Sequence, residues 1–262
     1  MCLSNSVGLK AVNNSLDVKT VQILLNMNIR QITPLKPLTE NGICDKLTIN
    51  AITEYQKKVL CYNPTNGQIT PNSLTLQKLK DGMPLGFTAE KLQGIMISAT
   101  KSTVLKYFDA LKYGMLTNGI TSPLRMAHFL AQLGHESKDF IYTEEIASGA
   151  DYEGNDDIGN TEPGDGKRFK GRGLIQITGR YNYEAYGKAR GKDYTSDENS
   201  KLLATNSSLA VDVAIWFWSK KKLNNYADND NIRKITYIIN GGYNGFQDRK
   251  SKLERAKFFI TR

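Results

Sequence analysis

The 262-residue chain contains no apolar run approaching the ~20 residues that a membrane span needs, so stable insertion into a bilayer is not expected. Its first residues, Met1-Cys2-Leu3-Ser4-Asn5-Ser6, lack the basic start and apolar core of a secretory signal, which implies accumulation in the cytoplasm. The three cysteines, Cys2, Cys44 and Cys61, form an odd set without CxxC spacing. That pattern suits neither a disulfide framework nor a zinc site, and reduced thiols are expected. The two histidines, His128 and His135, are seven residues apart with no third ligand evident, so zinc hydrolysis is not supported and neither metal nor cofactor is expected. Acidic residues are the scarcer charge: 35 Lys and Arg against 26 Asp and Glu give a net charge of +9 and a pI near 9.3. Such a surplus suits a polyanionic partner, whether polysaccharide, membrane surface or nucleic acid. It is spread along the chain, with no dense basic run and no nucleic-acid motif, and nucleic acid is therefore the weakest of the three.

What is present is ordinary globular material, 40% hydrophobic and 23% charged, long enough for one large or two modest domains. Residues 7–80 read as three short helices around a small core. Asp17 can cap the first, which carries Val18, Val21, Leu24 and Leu25. Leu47, Ile49, Ala51, Ile52 and Tyr55 supply the apolar side of the second, and Leu74, Leu76 and Leu79 that of the third. The Gly/Pro-rich stretch Asp81-Gly-Met-Pro-Leu-Gly86 marks a boundary, giving a module over 1–80, a linker over 81–87 and a larger helical domain over 88–262. The expected class is mainly α, with a minor β element at Leu174–Thr178.

In the larger domain, Leu124, Ala127, Leu130 and Leu133 recur at three-residue steps after Pro123, predicting a buried helix that ends in His135-Glu136-Ser137. A carboxylate there is costly unless paired or used, and burial would raise its pKa as a general acid requires. A salt-bridged surface glutamate at a helix end is the alternative. Residues 148–170 are polar, glycine-rich and long for a connection, and read as a structureless flap or groove wall. In Gly171-Arg-Gly-Leu-Ile-Gln-Ile-Thr-Gly179 a β-favouring run alternates, placing Gln176 and Thr178 opposite Ile175 and Ile177. Tyr181, Tyr183 and Tyr186 follow, suited to stacking on sugar rings and equally common in cores. Asn240 ends a helix capped by Asn231, beside the break at Gly241-Gly242.

Two resemblances follow from these motifs. The series Asp17-Val18-x-x-Val21-Gln22-x-Leu24-Leu25-Asn26, Asn41-Gly42-x-Cys44-Asp45, Thr48-x-x-Ala51-Ile52-x-x-Tyr55-Gln56 and Gly67-x-Ile69-Thr70 resembles the three-helix peptidoglycan-binding module of cell-wall hydrolases. Cys44 stands where that family usually has glycine, and the Ile29–Glu40 loop is longer than typical. Further on, Ala131-Gln-x-Gly-His-Glu-Ser137, Phe169-x-Gly-Arg-Gly-Leu-Ile-Gln-Ile-Thr-Gly179 and Asn240-Gly-Gly-x-Asn-Gly245 together resemble the family 19 glycoside hydrolases, and in particular the bacteriophage endolysins of that group.

The resemblance implies a lysozyme-like fold and inverting hydrolysis by two carboxyl groups ~6.5–9.5 Å apart. Glu136 matches the acid and Glu145 the base, with neighbouring Glu144 a competitor. Thr178 and Asn240 match positions that hold the attacking water or the substrate's acetamido group. Gln176, Arg172, Tyr183 and His135 are the substrate-binding candidates, although Arg172 suits an ion-pair role equally. His135 abuts the acid, where a satisfied structural histidine is the more ordinary reading. The implied protein is a monomeric endolysin that acts on peptidoglycan once the host's inner membrane is breached. A chitinase and a non-catalytic wall-binding protein are the alternatives.

Overall fold

The computed structural model describes residues 2–260, which form thirteen α-helices and one two-residue strand pair, a mainly helical fold as expected. They divide into two compact units, Met1–Ser98 with Glu254–Arg262, and Ala99–Leu253.

The first unit holds β1 (Val7–Gly8), α1 (Ser15–Met27), α2 (Lys46–Leu60), β2 (Gln68–Ile69), α3 (Leu74–Asp81) and α4 (Ala89–Ile95). β1 and β2 pair antiparallel, with Val7 opposite Ile69. Val18, Val21, Leu24, Ile52, Tyr55 and Leu79 form the buried core. Three details differ from the sequence reading. Asn14, not Asp17, caps α1, accepting from Leu16 N at 3.1 Å. Asp17 is buried instead and accepts from Ser4 N and Oγ and from Asn5 N, partners twelve and thirteen positions away. Leu47 and Leu74 lie at 67% and 47% exposure, so neither belongs to the core face of its helix.

The division also falls past the expected linker. α4 belongs with the first unit, and so does the end of the chain. Arg255 reaches the Gly94 carbonyl at 2.5 Å and Thr20 Oγ1 at 2.7 Å, and the Phe259 ring packs where a Cβ on Gly94 would stand. No local pattern announces contacts that span more than 160 residues.

Two buried glutamines organise this unit in the same way. Gln22 donates to Asn41 Oδ1, the Ile43 carbonyl and Thr48 Oγ1, and accepts from Gly42 N. Gln56 donates to Asn66 Oδ1, the Gln68 carbonyl and Thr75 Oγ1, and accepts from Gly67 N. Each therefore holds a following Asn-Gly turn and the start of the next helix. A buried amide that satisfies this many groups is expensive to remove, since every partner is left unpaired. Gln22→Ala and Gln56→Ala should each lower stability by about 2–4 kcal/mol, measured as a shift of the denaturant midpoint.

The second unit comprises α5 (Lys101–Thr117), α6 (Pro123–Glu136), α7 (Asp165–Arg168), α8 (Arg180–Arg190), α9 (Asp197–Thr205), α10 (Ser207–Lys220), α11 (Asn224–Asp228), α12 (Ile232–Asn240) and the first turns of α13 (Phe246–Ile260). α10 is its spine: Ala210, Val211 and every residue from Val213 to Trp218 are buried. α5 lies against it closely enough that a Cβ on Gly114 would meet Ile215 Cδ1 at 2.2 Å. Phe129 of α6 meets Trp218 edge-on, with ring centroids 5.3 Å apart.

Residues 148–170 are not structureless. They form 3-10 turns at Ala150–Tyr152 and Asp156–Ile158 and then α7. The fully buried Asp165 accepts from Arg180 Nε and Nη2 at 2.8 and 2.6 Å, and the buried Asn160 bridges the Tyr152 carbonyl and Arg180 N. The β-favouring run at 171–179 forms no strand. It is a tight turn closed by a single bridge between Arg172 and Ile177, with a second bridge from Arg172 to Glu144. Gly173 and Gln176 both have positive φ, and a Cβ on Gly173 would meet Val213 Cγ1 at 2.5 Å. The positive φ and the close approach to α10 explain the glycine at 173. The alternation still held: Ile175 and Ile177 are buried while Gln176 and Thr178 are half-exposed.

Candidate active site

α6 delivers Glu136. Ser122 Oγ accepts from Arg125 N at its start, Pro123 occupies the first turn, and Arg125 clamps Asp228 with two bonds of 2.7 and 2.6 Å. At the other end Ser137 is buried, donating to the Leu133 carbonyl and accepting from Phe140 N. Lys138, Asp139 and Phe140 then all adopt positive φ, which turns the chain sharply away and leaves Glu136 at the lip of the helix.

The sequence suggested a carboxyl set against apolar neighbours. The structure places Arg249 Nη2 2.6 Å from Glu136 Oε1 instead. Arg249 is buried at 1% exposure and also donates to Gln132 Oε1 at 2.5 Å and to the Asn244 carbonyl at 3.4 Å. A buried guanidinium needs such partners, and each one positions the group at its other end. Two more ion pairs flank this one. His135 Nδ1 lies 2.6 Å from Asp248, and Lys252 Nζ 2.6 Å from the buried Asp139. One ring nitrogen of His135 is thus engaged by Asp248 of α13. Sequence reasoning missed Arg249, which lies in the polar run Gln247-Asp-Arg-Lys-Ser-Lys252 and shows no periodic signal of burial.

Glu145 stands on the segment that bridges to Arg172. Its carboxylate accepts from Tyr152 OH at 3.0 Å and from Gly171 N at 3.0 Å. Burial, and then the bond to Glu145, push the Tyr152 phenol upward, so it remains a neutral donor. Glu144 faces elsewhere, with Arg172 Nε at 2.9 Å and Lys170 Nζ at 3.6 Å. Gln176 Oε1 and Glu145 Oε2 both lie against Gly171, at 3.0 and 3.3 Å from where its Cβ would be.

Thr178, Gln176 and Asn240 come together in one groove of about 330 Å³, which Tyr152, Asn155 and Asn182 also line. Asn240 is the exposed last residue of α12, and its Oδ1 accepts from Asn244 N at 3.2 Å. The groove's lining includes neither Glu136 nor Glu145: Glu145 sits beside it through its bond from Tyr152, and Glu136 is linked towards Asn240 through Arg249 and the 240–245 turn. Two predicted groove residues lie behind the wall. Tyr183 is fully buried, donating to the Lys170 carbonyl at 2.7 Å, and it cannot stack on a sugar. Arg172, at 3% exposure, donates to Glu144, the Arg168 carbonyl and Tyr183 OH, which is the ion-pair role. Tyr152 and Asn155, which do line the groove, carried no motif that would have singled them out.

Comparisons with known proteins identify the family. Residues 121–234 match the chitinase class I family model of glycoside hydrolase family 19. A glycosyl hydrolase family 19 domain-containing protein of Haemophilus influenzae is 33% identical over 180 residues, 57% of this chain and 86% of that protein. The chain belongs to glycoside hydrolase family 19. It is a glycosidase, hydrolysing glycosidic bonds. An endochitinase of Arabidopsis thaliana is 40% identical to this family 19 chain over 102 residues, 39% of this chain but 34% of the plant protein, so the chain spans about a third of that relative's length. The crystal structure of chitinase C from Streptomyces griseus shares the fold, with a TM-score of 0.55 at 20% identity over 68% of this chain and 95% of that one.

The site yields two predictions. A Cβ on Gly245, which has φ +69°, would meet His135 Cε1 at 2.1 Å. Gly245→Ala should therefore displace the His135-Glu136 end of α6 and cut glycosidase activity on the order of a hundredfold, with the melting temperature as a control. Tyr183→Phe should cost about 1–2 kcal/mol of stability and leave KM for glycan unchanged, since the hydroxyl serves the wall and not the groove.

Proposed function

We propose that the protein cleaves the glycan of bacterial peptidoglycan as a bacteriophage endolysin, by inverting hydrolysis with two carboxyl groups. The observation that carries the proposal is the presence in one chain of a family 19 unit and an N-terminal unit resembling a peptidoglycan-binding module. The three-helix core of the first unit and its two Gln-clamped Asn-Gly turns, built from the residues of that resemblance, support it. Holding the enzyme on an insoluble wall raises its effective concentration at the bond.

In this mechanism Glu136 gives its proton to the leaving oxygen and Glu145 activates a water on the opposite face of the sugar. Tyr152 and the Gly171 N–H orient the Glu145 carboxylate. Thr178 and Asn240 hold the water or the acetamido group, and Gln176 lines the groove beside them. The protein works as a monomer and reaches the wall after the inner membrane is breached. A chitinase is the second reading, favoured by the endochitinases among its relatives.

Glu136→Gln keeps the shape and loses the acid. It should reduce lysis of purified cell walls on the order of 10²–10⁴-fold at an unchanged melting temperature. Thr178→Ala should lose about tenfold, as expected for one hydrogen bond to the water. Turbidity loss of walls compared with sugar release from chitin separates the two substrate readings. Faster release from chitin would reject the endolysin, and lysis by Glu136→Gln would reject the acid.

A further inference from the structure

We propose that the cationic pocket on the other side of the Glu144–Glu145 segment binds the free carboxylates of the peptide stem, which peptidoglycan carries and chitin lacks. The proposal rests on the peptidoglycan reading and names the part of the substrate that would be recognised beyond the sugars.

The pocket measures about 450 Å³. Lys167, Arg168, Lys170, Arg172 and Lys201 line it, against the carboxylates of Glu144 and Asp197. Both carboxylates are already engaged. Arg172 Nε lies 2.9 Å from Glu144, and Arg168 Nε lies 2.5 Å from Asp197. The Arg168 bond holds the Asp197 carboxyl below its usual range, so it stays charged and occupied. Lys170 turns its ammonium to the carbonyls of Glu145 and Ala147 at 2.9 and 3.3 Å. The exposed ammonium groups of Lys167 and Lys201 make no hydrogen bond or ion pair among the described residues, although the Lys201 charge adds to that of Arg168 in holding the Asp197 carboxyl down. The pocket therefore carries five cations against two carboxylates, a surplus of three positive charges, with its two exposed lysines at the rim over ordered guanidinium groups. That field concentrates anions and is of no use to a neutral glycan.

Its position suits a substituent of a sugar bound at Glu145. Neighbouring residues of an extended segment point to opposite sides. Glu145 faces Tyr152 and Gln176, which line the groove, while Glu144 faces the cationic pocket. Glu144 and Glu145 are adjacent in the chain, so the two sides meet at one segment. A peptide of four residues reaches ~3.3–3.6 Å per residue, which gives a stem on a sugar at Glu145 the length to pass from one side of that segment toward the other. Planar guanidinium groups and ammonium donors are the usual partners of carboxylates.

The test uses the full chain and two variants, Lys167→Glu/Lys201→Glu and the milder Lys167→Gln/Lys201→Gln. Both positions are exposed, and thermal melts check the fold. The probe is the free stem tetrapeptide (L-Ala, γ-linked D-Glu, meso-diaminopimelate, D-Ala), titrated by calorimetry alongside glycerol phosphate. The unmodified protein should bind the tetrapeptide, and the charge-reversed variant should bind it about tenfold more weakly. The ratio of cleavage rates on intact peptidoglycan to amidase-stripped glycan should fall by a similar factor. Equal tetrapeptide affinity in both proteins, or an unchanged rate ratio, overturns the proposal. A preference for glycerol phosphate also overturns it, assigning the pocket to a phosphodiester polymer. If chitin alone is cleaved, the peptidoglycan reading fails, while the titration still decides what the pocket binds.

Discussion

The candidate site depends on a buried guanidinium. Arg249 joins two parts of the second unit that are far apart in sequence: the last turns of α6, at Gln132 and Glu136, and the Asn244 carbonyl in the turn after α12. A charge buried to 1% exposure is tolerable only with its partners in place, so the ends of α6 and α12 are held in one arrangement or the site is lost. The turn that Arg249 grips also carries Asn240. A helix-end carboxyl and a cleft-lining amide, on separate elements, are thereby linked through one side chain that belongs to neither.

Two more ion pairs, His135–Asp248 and Lys252–Asp139, run beside it along the same stretch of α13. The three residues after Ser137 all take left-handed backbone, a conformation that costs non-glycine residues ~1–2 kcal/mol each. Such a bend persists only where surrounding contacts impose it. The buried Asp139 in its middle, paired with Lys252, is one of those contacts, so the exit from α6 is shaped by α13 as well as by its own sequence.

Much of this was legible in the sequence wherever the signal was local. The apolar spacing after Pro123 gave α6 to within a residue, the cap at Asn231 is the one observed, and the alternation at 175–178 correctly sorted buried from half-exposed side chains. What failed was set by distant partners. Asp17 looked like a cap because its true partners, Ser4 and Asn5, precede the helix. Residues 148–170 looked loose because a buried Asp165–Arg180 pair is invisible in composition. Tyr183 looked available because aromatic density near a motif does not reveal which face is turned inward. Arg249 was missed for the same reason, being one of several basic residues in a polar helix.

The paired glutamines of the first unit span segments of different length. Gln22 closes on Gly42 across twenty positions and Gln56 on Gly67 across eleven, yet both make the same four bonds. Two copies of one helix-and-turn device thus differ mainly in the length of chain between clamp and turn. The additional residues of the first copy lie between Asn28 and Glu40, outside the clamp itself. The longer span is itself tied down: Ile32 is buried, Asn28 donates to the Leu79 carbonyl, and Asn26 holds Leu38 and Glu40, so the first copy spends its extra residues on contacts the second lacks.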